Sequence, residues 1–167
     1  MEKELPVRKI IRLKGYDYSN SGYYHITMCV KDRHEMLGAI NVGTNCVRPL
    51  LSEYGNIVKK EIAVLSETYD NVKVVKYVIM PNHIHMIIVI ELDDSGRTQF
   101  VPTVSRIIKQ FKGSITKQIG FSLWQPRFYD EIIRNEEAYR NIWRYIDENP
   151  IKWAEDEYFV KETGEKK

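Results

Sequence analysis

The chain has 167 residues, 43% hydrophobic and 29% charged, which fits one sizeable core and excludes a disordered or fibrous protein. A net charge of +2 excludes a uniformly basic or acidic chain, and two cysteines, Cys29 and Cys46, exclude a disulfide framework. A reducing, cytoplasmic setting is therefore expected. The opening MEKELPVRKIIRLKG is charged and lacks the apolar stretch of a signal peptide, and the longest apolar runs are strand-sized, so no membrane span is expected. The reading is a single domain over 1–167, with a core of about 16–153 and a charged C-terminal tail over 154–167.

Gly22–Lys31, GYYHITMCVK, is rich in β-branched and aromatic residues and predicts a strand. Gly38–Arg48 is punctuated by Gly and Asn and predicts a short hairpin or loop. From Pro49 to Tyr69, Leu50, Leu51, Tyr54, Ile57, Val58, Ile62 and Leu65 recur at helical spacing. Asn71–Glu91 holds two strands, VKVVKYVIM and HIHMIIVIE, separated by Pro81-Asn82. The second is apolar on both faces apart from its histidines, which predicts a central strand. Asp93–Phe100 reads as a polar loop, and Val101–Ile119 as an amphipathic helix closed by Gly120. Trp124–Ile133 is of mixed character. A last helix opens at Asn135 or Glu136 and stops near Asn149, because the residue before Pro150 avoids helical geometry. Short turns between successive strands favour antiparallel pairing. The fold class is α+β, a ferredoxin-like antiparallel sheet with helices packed on one face.

The charge is unevenly spread. Arg97, Arg106, Lys109, Lys112, Lys117 and Arg127 fall between Ser95 and Tyr129 with no acidic residue among them. A one-signed segment of this kind suits an anion-facing surface, and a solvated helix face reads the same way.

Pro81-Asn82-His83-Ile84-His85 is the strongest local signal. Residues i and i+2 of a strand share a face, so His83 and His85 present two imidazoles side by side. Two buried neutral histidines need two separate hydrogen-bond solutions, whereas one metal satisfies both. No further His or Cys lies at a sensible spacing, which argues against a structural zinc site. An oxygen-rich, partly open site suits Mg2+ or Mn2+ acting on phosphate. On the last helix Tyr145 and Asn149 lie four residues apart on one face. Tyr145 brings a phenol and Asn149 a carbonyl oxygen able to bind metal. A tyrosine is a weak nucleophile at its free pKa and needs such assistance. The same tyrosine also reads as an amphipathic core residue.

Three segments together, YVIMPNHIHMIIVI (Tyr77–Ile90), TVSRIIKQFKGSITKQIG (Thr103–Gly120) and WQPRFYDEIIRNEEAYRNIWRYIDENPIKW (Trp124–Trp153), resemble the single-tyrosine transposases of the insertion-sequence-200 type. The resemblance is to their stand-alone branch, the REP-associated tyrosine transposases, which belong to the HUH endonucleases. It implies a ferredoxin-like fold, a metal held by His83 and His85 with Asn149 assisting, and Tyr145 as nucleophile. In many relatives a glutamine stands where Asn149 does. Tyr139, six residues before Tyr145, is roughly 240° further round the helix than a full turn and cannot share its face. It is the second choice, without an Asn four residues on.

The resemblance further implies transesterification: the Tyr145 oxygen attacks a phosphodiester of hairpin-containing single-stranded DNA and forms a 5′-phosphotyrosine link, releasing a 3′-hydroxyl. No nucleotide is consumed, in keeping with the lack of a P-loop pattern. Arg106, Lys109, Lys112 and Lys117 are candidates for tracking the DNA backbone, Arg127 and Arg134 for phosphate contacts, and Trp124, Phe128 and Tyr129 for base stacking. Family members also form homodimers in which one subunit's tyrosine helix completes the other's site, although stand-alone members need not. Two rivals remain. His25-Ile26-Thr27 fits half of a two-histidine phosphoesterase, but His83-Ile84-His85 does not fit the other half. A ferredoxin-like module that only binds nucleic acid explains the basic helix but not the histidine pair.

Overall fold

The computed structural model describes residues 21–41, 48–91 and 102–159. In chain order its elements are β1 (Gly22–Cys29), β2 (Gly38–Ala39), β3 (Leu50–Leu51), α1 (Glu53–Thr68), β4 (Val72–Ile79), β5 (His83–Ile90), α2 (Val104–Ile119), β6 (Tyr129–Ile133) and α3 (Glu136–Glu148). Tight 3-10 turns occupy Lys31–Arg33 and Trp153–Glu155.

Each helix starts where a side-chain oxygen satisfies an otherwise orphaned backbone N–H. Ser52 accepts from Gly55 N, Thr103 from Arg106 N, and Asn135 from Ala138 N. Gly120 ends α2 in the left-handed conformation at φ 84°, which favours glycine.

The main sheet has the order β4-β5-β1-β6, every neighbouring pair antiparallel. This is the ferredoxin-like order, in which α1 carries the chain from β1 past one strand to β4 and β5 returns between them. β5 is buried at all eight positions, as expected of a central strand. Alternation divides its residues between two faces. Ile84, Met86, Ile88 and Ile90, with Tyr24, Ile26 and Met28 of β1, pack under α1 (Val58, Ile62, Leu65) and α2 (Ile107, Phe111, Ile115). Burying each of these larger apolar side chains stabilises the fold by on the order of 1.5–3 kcal/mol.

Helices on one face describes α1 and α2. α3 lies on the opposite face, where Ile146 meets Ile87 of β5 and Ile133 of β6, with Tyr139, Ile142 and Trp143 packed around them. Lys76 of β4 secures α3 from the side: its ammonium pairs with Asp147 and sits 4.5 Å from the centre of the Trp143 ring.

Two local expectations change. Leu50 and Leu51 share the apolar periodicity of α1 but form β3, paired with β2. Strand pairing with Gly38 wins over helix extension because no side chain stands there: a Cβ on Gly38 would lie 2.3 Å from the Leu50 carbonyl oxygen. Within the mixed 124–133 segment, Trp124 bridges to Val30 and 129–133 becomes the edge strand β6. The polar loop expected over 93–100 lies outside the described residues, as do 42–47 of the 38–48 segment.

Candidate active site on the second face of the sheet

The same alternation that buries Ile84 and Met86 in the main core sends His83 and His85 to the α3 side. Antiparallel register sets Thr27 opposite His85 and Cys29 opposite His83. His25 and Thr27 of β1 share the histidines' face. His83 and His85 are 0% and 2% exposed, which leaves their nitrogens dependent on protein partners.

Those partners fix each ring. Asn82 Nδ2 donates to the carbonyl oxygens of Arg33 (3.2 Å) and Tyr158 (2.7 Å), so its amide oxygen must face the other way. That oxygen lies 2.8 Å from His83 Nδ1, which is therefore the protonated nitrogen and donates. Nε2 of His83 is left as a bare acceptor, buried and without a hydrogen-bond partner among the described residues. His85 Nδ1 is 2.8 Å from Thr27 Oγ1 and 3.3 Å from His25 Nε2, which again turns Nε2 toward α3.

α3 brings Tyr145 and Asn149 to this spot. The Tyr145 phenolic oxygen is 3.4 Å from His85 Nε2, and the two rings meet edge to face at 5.0 Å. Tyr145 is 40% exposed, so part of its side chain is open to solvent while its oxygen meets buried His85. Asn149 is buried, and its Nδ2 donates to Asp156 Oδ2 at 2.9 Å. Its Oδ1 has no hydrogen-bond partner among the described residues. Tyr139 goes elsewhere, against Tyr23 (5.3 Å) and Trp143 (5.6 Å).

Residues 156–159, expected at the start of a charged tail, lie against the site. The Tyr158 ring is 4.5 Å from that of His83, and the Arg33 guanidinium is 5.3 Å from the Tyr158 ring centre. Sequence reasoning missed Asp156 and Tyr158, named Asn82 without giving it a role, and weighed Thr27 and His25 only as part of a different motif. The alternation of His25 and Thr27 was a usable signal, because both must face the same way as any histidine paired across from them.

Burial holds all three imidazoles neutral. It lowers the His83 pKa to about 4, against opposing effects of the Asp156 carboxylate and the Asn149 side chain. His85 is held well below its ordinary value by burial and then by His83 and His25. His25 is lowered by burial, opposed by Glu131. Neutral imidazole is the ligating form. Tyr145 moves the other way: burial, followed by the carboxylates of Asp156 and Glu157, raises its pKa to about 12. It is a poor nucleophile unless positive charge is brought near.

The donor set fits a divalent cation. Two histidines anchored through Nδ1 aim Nε2 into the site, the outer-shell arrangement that orients metal-binding imidazoles. His83 Nε2 and Asn149 Oδ1 are buried acceptors in need of a partner. Among the described residues no three His, Cys, Asp or Glu side chains assemble as a ligand set. Two imidazole nitrogens and one amide oxygen suit an oxygen-completed ion.

The basic residues are dispersed. Arg106, Lys109 and Lys117 are exposed on α2, across the sheet from the histidines. Lys112 turns inward: its ammonium donates to the carbonyl oxygens of Gln125 (2.8 Å), Arg127 (3.4 Å) and Pro126 (3.5 Å). Burial lowers its pKa to about 8. Arg127 and Arg134 are exposed at the two ends of β6. Trp124 is in the core, Phe128 lies under the Lys112 ammonium, and the Tyr129 hydroxyl donates to Glu131.

The family described as "Transposase IS200 like" matches residues 18–149. An uncharacterised protein of Haemophilus influenzae is 33% identical over 92% of this chain and 93% of its own. The REP-associated tyrosine transposase of Escherichia coli K12 is 36% identical over 46% of this chain and 42% of its own. A solved structure of a REP-associated tyrosine transposase bound to a REP hairpin superposes with a TM-score of 0.62 at 24% identity, covering 85% of this chain and 74% of that one. This last likeness is one of fold.

Proposed function

This chain belongs to the IS200-like transposase family, and we propose that it cuts and rejoins single-stranded DNA through a covalent link to Tyr145. The observation that carries the proposal is the meeting of the Tyr145 oxygen with His85 Nε2, together with two buried acceptors that have no hydrogen-bond partner among the described residues. His83, His85 and Asn149 would hold Mg2+ or Mn2+, which when bound supplies Lewis-acid polarisation of the phosphate and positive charge beside the phenol.

Tyr145 gives up its proton and its oxygen attacks phosphorus. The bond from phosphorus to the 3′-oxygen breaks, and that oxygen takes up a proton in place of the one Tyr145 released and leaves as a 3′-hydroxyl. The product is a 5′-phosphotyrosine, and attack by another 3′-hydroxyl reverses the step and joins strands. One phosphodiester replaces another, so no nucleotide is consumed.

The substrate class is single-stranded DNA bearing a hairpin. Support comes from the fold shared with a hairpin-bound structure and from exposed basic residues on two surfaces. Arg127, just before β6 at its Thr27 end, suits phosphates near the cut, and Arg134, just after β6 at its Tyr23 end, suits phosphates further along the DNA strand. Arg106, Lys109 and Lys117 suit backbone wrapping the far face. Lys112 acts differently, clamping the 125–127 turn. Tyr145 reaches His85 of its own chain, which favours an active site complete in one subunit, with a homodimer as a separate matter. No helix among the described residues is long and apolar enough to cross a membrane, and chromosomal DNA as substrate suits the cytoplasm.

The test is incubation with labelled hairpin DNA and Mn2+, read on a denaturing gel. A protein–DNA adduct that chelator removes supports the reading. Tight binding with no adduct on any hairpin would replace it with a binding module.

A further inference from the structure

We propose that Asp156 is a positioning residue that aims the Asn149 carbonyl oxygen at the histidine pair. The inference rests on the metal reading of that pair. Asp156 lies beyond residues 18–149, the span matched by the family, and nothing in the motif spacing points to it.

A primary amide has two ends, and its orientation is decided by what each end meets. An ionised carboxylate only accepts, so the Asn149 atom 2.9 Å from Asp156 Oδ2 is the nitrogen. The planar amide then turns Oδ1 away from Asp156. There Oδ1 is buried without a hydrogen-bond partner among the described residues, as is His83 Nε2. Remove the carboxylate and the amide loses its reason to present oxygen.

Asp156 is itself held in place. Its Oδ1 accepts from Tyr158 N at 2.7 Å. The next residues are tied down from the other side of the site: Asn82 Nδ2 donates to the Tyr158 carbonyl and Arg33 Nη1 to the Glu157 carbonyl at 3.1 Å. Arg33 and Asp32 adopt left-handed backbone, φ 58° and 57°, uncommon for non-glycine residues and sustained only where surroundings enforce it. Asn82 thus anchors His83 and the segment bearing Asp156 at once, so two of the proposed ligands share one brace.

The experiment is calorimetric titration of Mn2+ into the full chain, comparing wild type with Asp156→Asn, Asp156→Glu, Asn149→Ala, His83→Ala and the Asp156→Asn/Asn149→Ala double variant. Asp156→Asn keeps size but replaces one of the two accepting oxygens by an N–H donor, so the bonds from Asn149 Nδ2 and Tyr158 N can no longer both form. Its Mn2+ affinity is expected to fall about tenfold or more, with the melting temperature of the metal-free protein little changed. Asp156→Glu is expected to recover part of the affinity. On the Asn149→Ala background, Asp156→Asn is expected to cost nothing further, because Asp156 acts through Asn149. An affinity within twofold of wild type, or an equal loss on both backgrounds, overturns the proposal while leaving a His83-dependent metal site standing. Wild-type protein that binds no Mn2+, or binds it equally after His83→Ala, overturns the metal reading and this inference with it.

Discussion

Tyr145 Oη stands 3.4 Å from His85 Nε2, so the last helix delivers a phenol to a strand 60 residues earlier in the chain. Tyr145→Phe removes only that oxygen. The covalent DNA adduct should vanish on a denaturing gel while the melting temperature holds within a few degrees. Tyr139→Phe should keep the adduct, since that ring packs on Tyr23 of β1 and on its α3 neighbour Trp143. An adduct that survives Tyr145→Phe would move the nucleophile elsewhere.

Thr27 meets the site through His85 Nδ1, at 2.8 Å. Outer-shell partners of this kind typically change metal affinity by about 10–100-fold when removed. Thr27→Val should weaken Mn2+ binding by about tenfold in a calorimetric titration, and Thr27→Ser should restore it. Equal affinities for the Val and Ser variants would count against the anchoring role.

The buried imidazoles set an acid limit on stability. His83 has its pKa lowered from 6.5 to about 4, so between these values the unfolded chain binds more protons than the folded one. Stability is full above about pH 6.5 and is lost as pH falls toward 4, where His83 also protonates in the fold. His83 alone accounts for on the order of 3 kcal/mol across that window, and His25 and His85 carry the same sign. Thermal melts of metal-free protein should fall from pH 7.5 to 4.5, and His83→Gln should flatten the slope. A flat wild-type profile would contradict this.

Lys112 and Lys109 are both basic residues of α2, yet they should behave differently. Lys112→Met leaves three carbonyl oxygens of the 125–127 turn without their shared donor and should destabilise the fold by about 1–3 kcal/mol in urea. Lys109→Ala should stay within about 0.5 kcal/mol. A combined Arg106, Lys109 and Lys117 to Ala variant should weaken hairpin binding and shallow its salt dependence, with adduct yield at saturating DNA unchanged. Unaltered salt dependence would free α2 of any DNA role.

Local periodicity made much of this legible. Strand alternation places His83 beside His85, and helical spacing places Asn149 one turn from Tyr145, without knowledge of the fold. Which faces meet is a tertiary matter. Thr27 lies 58 residues from His85, and only the β1–β5 register makes them neighbours. The amphipathic pattern of α3 announces a buried side but not which face of the sheet receives it. Lys112 looked like its neighbours because a charge pattern does not reveal carbonyl oxygens that a later turn will present. Leu50 and Leu51 continue the apolar rhythm of α1, and pairing against a bare glycine overrode it.

The alternation along β5 also governs which length changes the gene can tolerate. One residue inserted between His85 and Met86 would send either both imidazoles into the main core or the following apolar side chains out of it. Repair would need a β-bulge to absorb the extra residue, as the register shift between Val74 and Lys76 does in β4. Insertions and deletions are therefore tolerated more readily in surface loops than between His83 and Ile90.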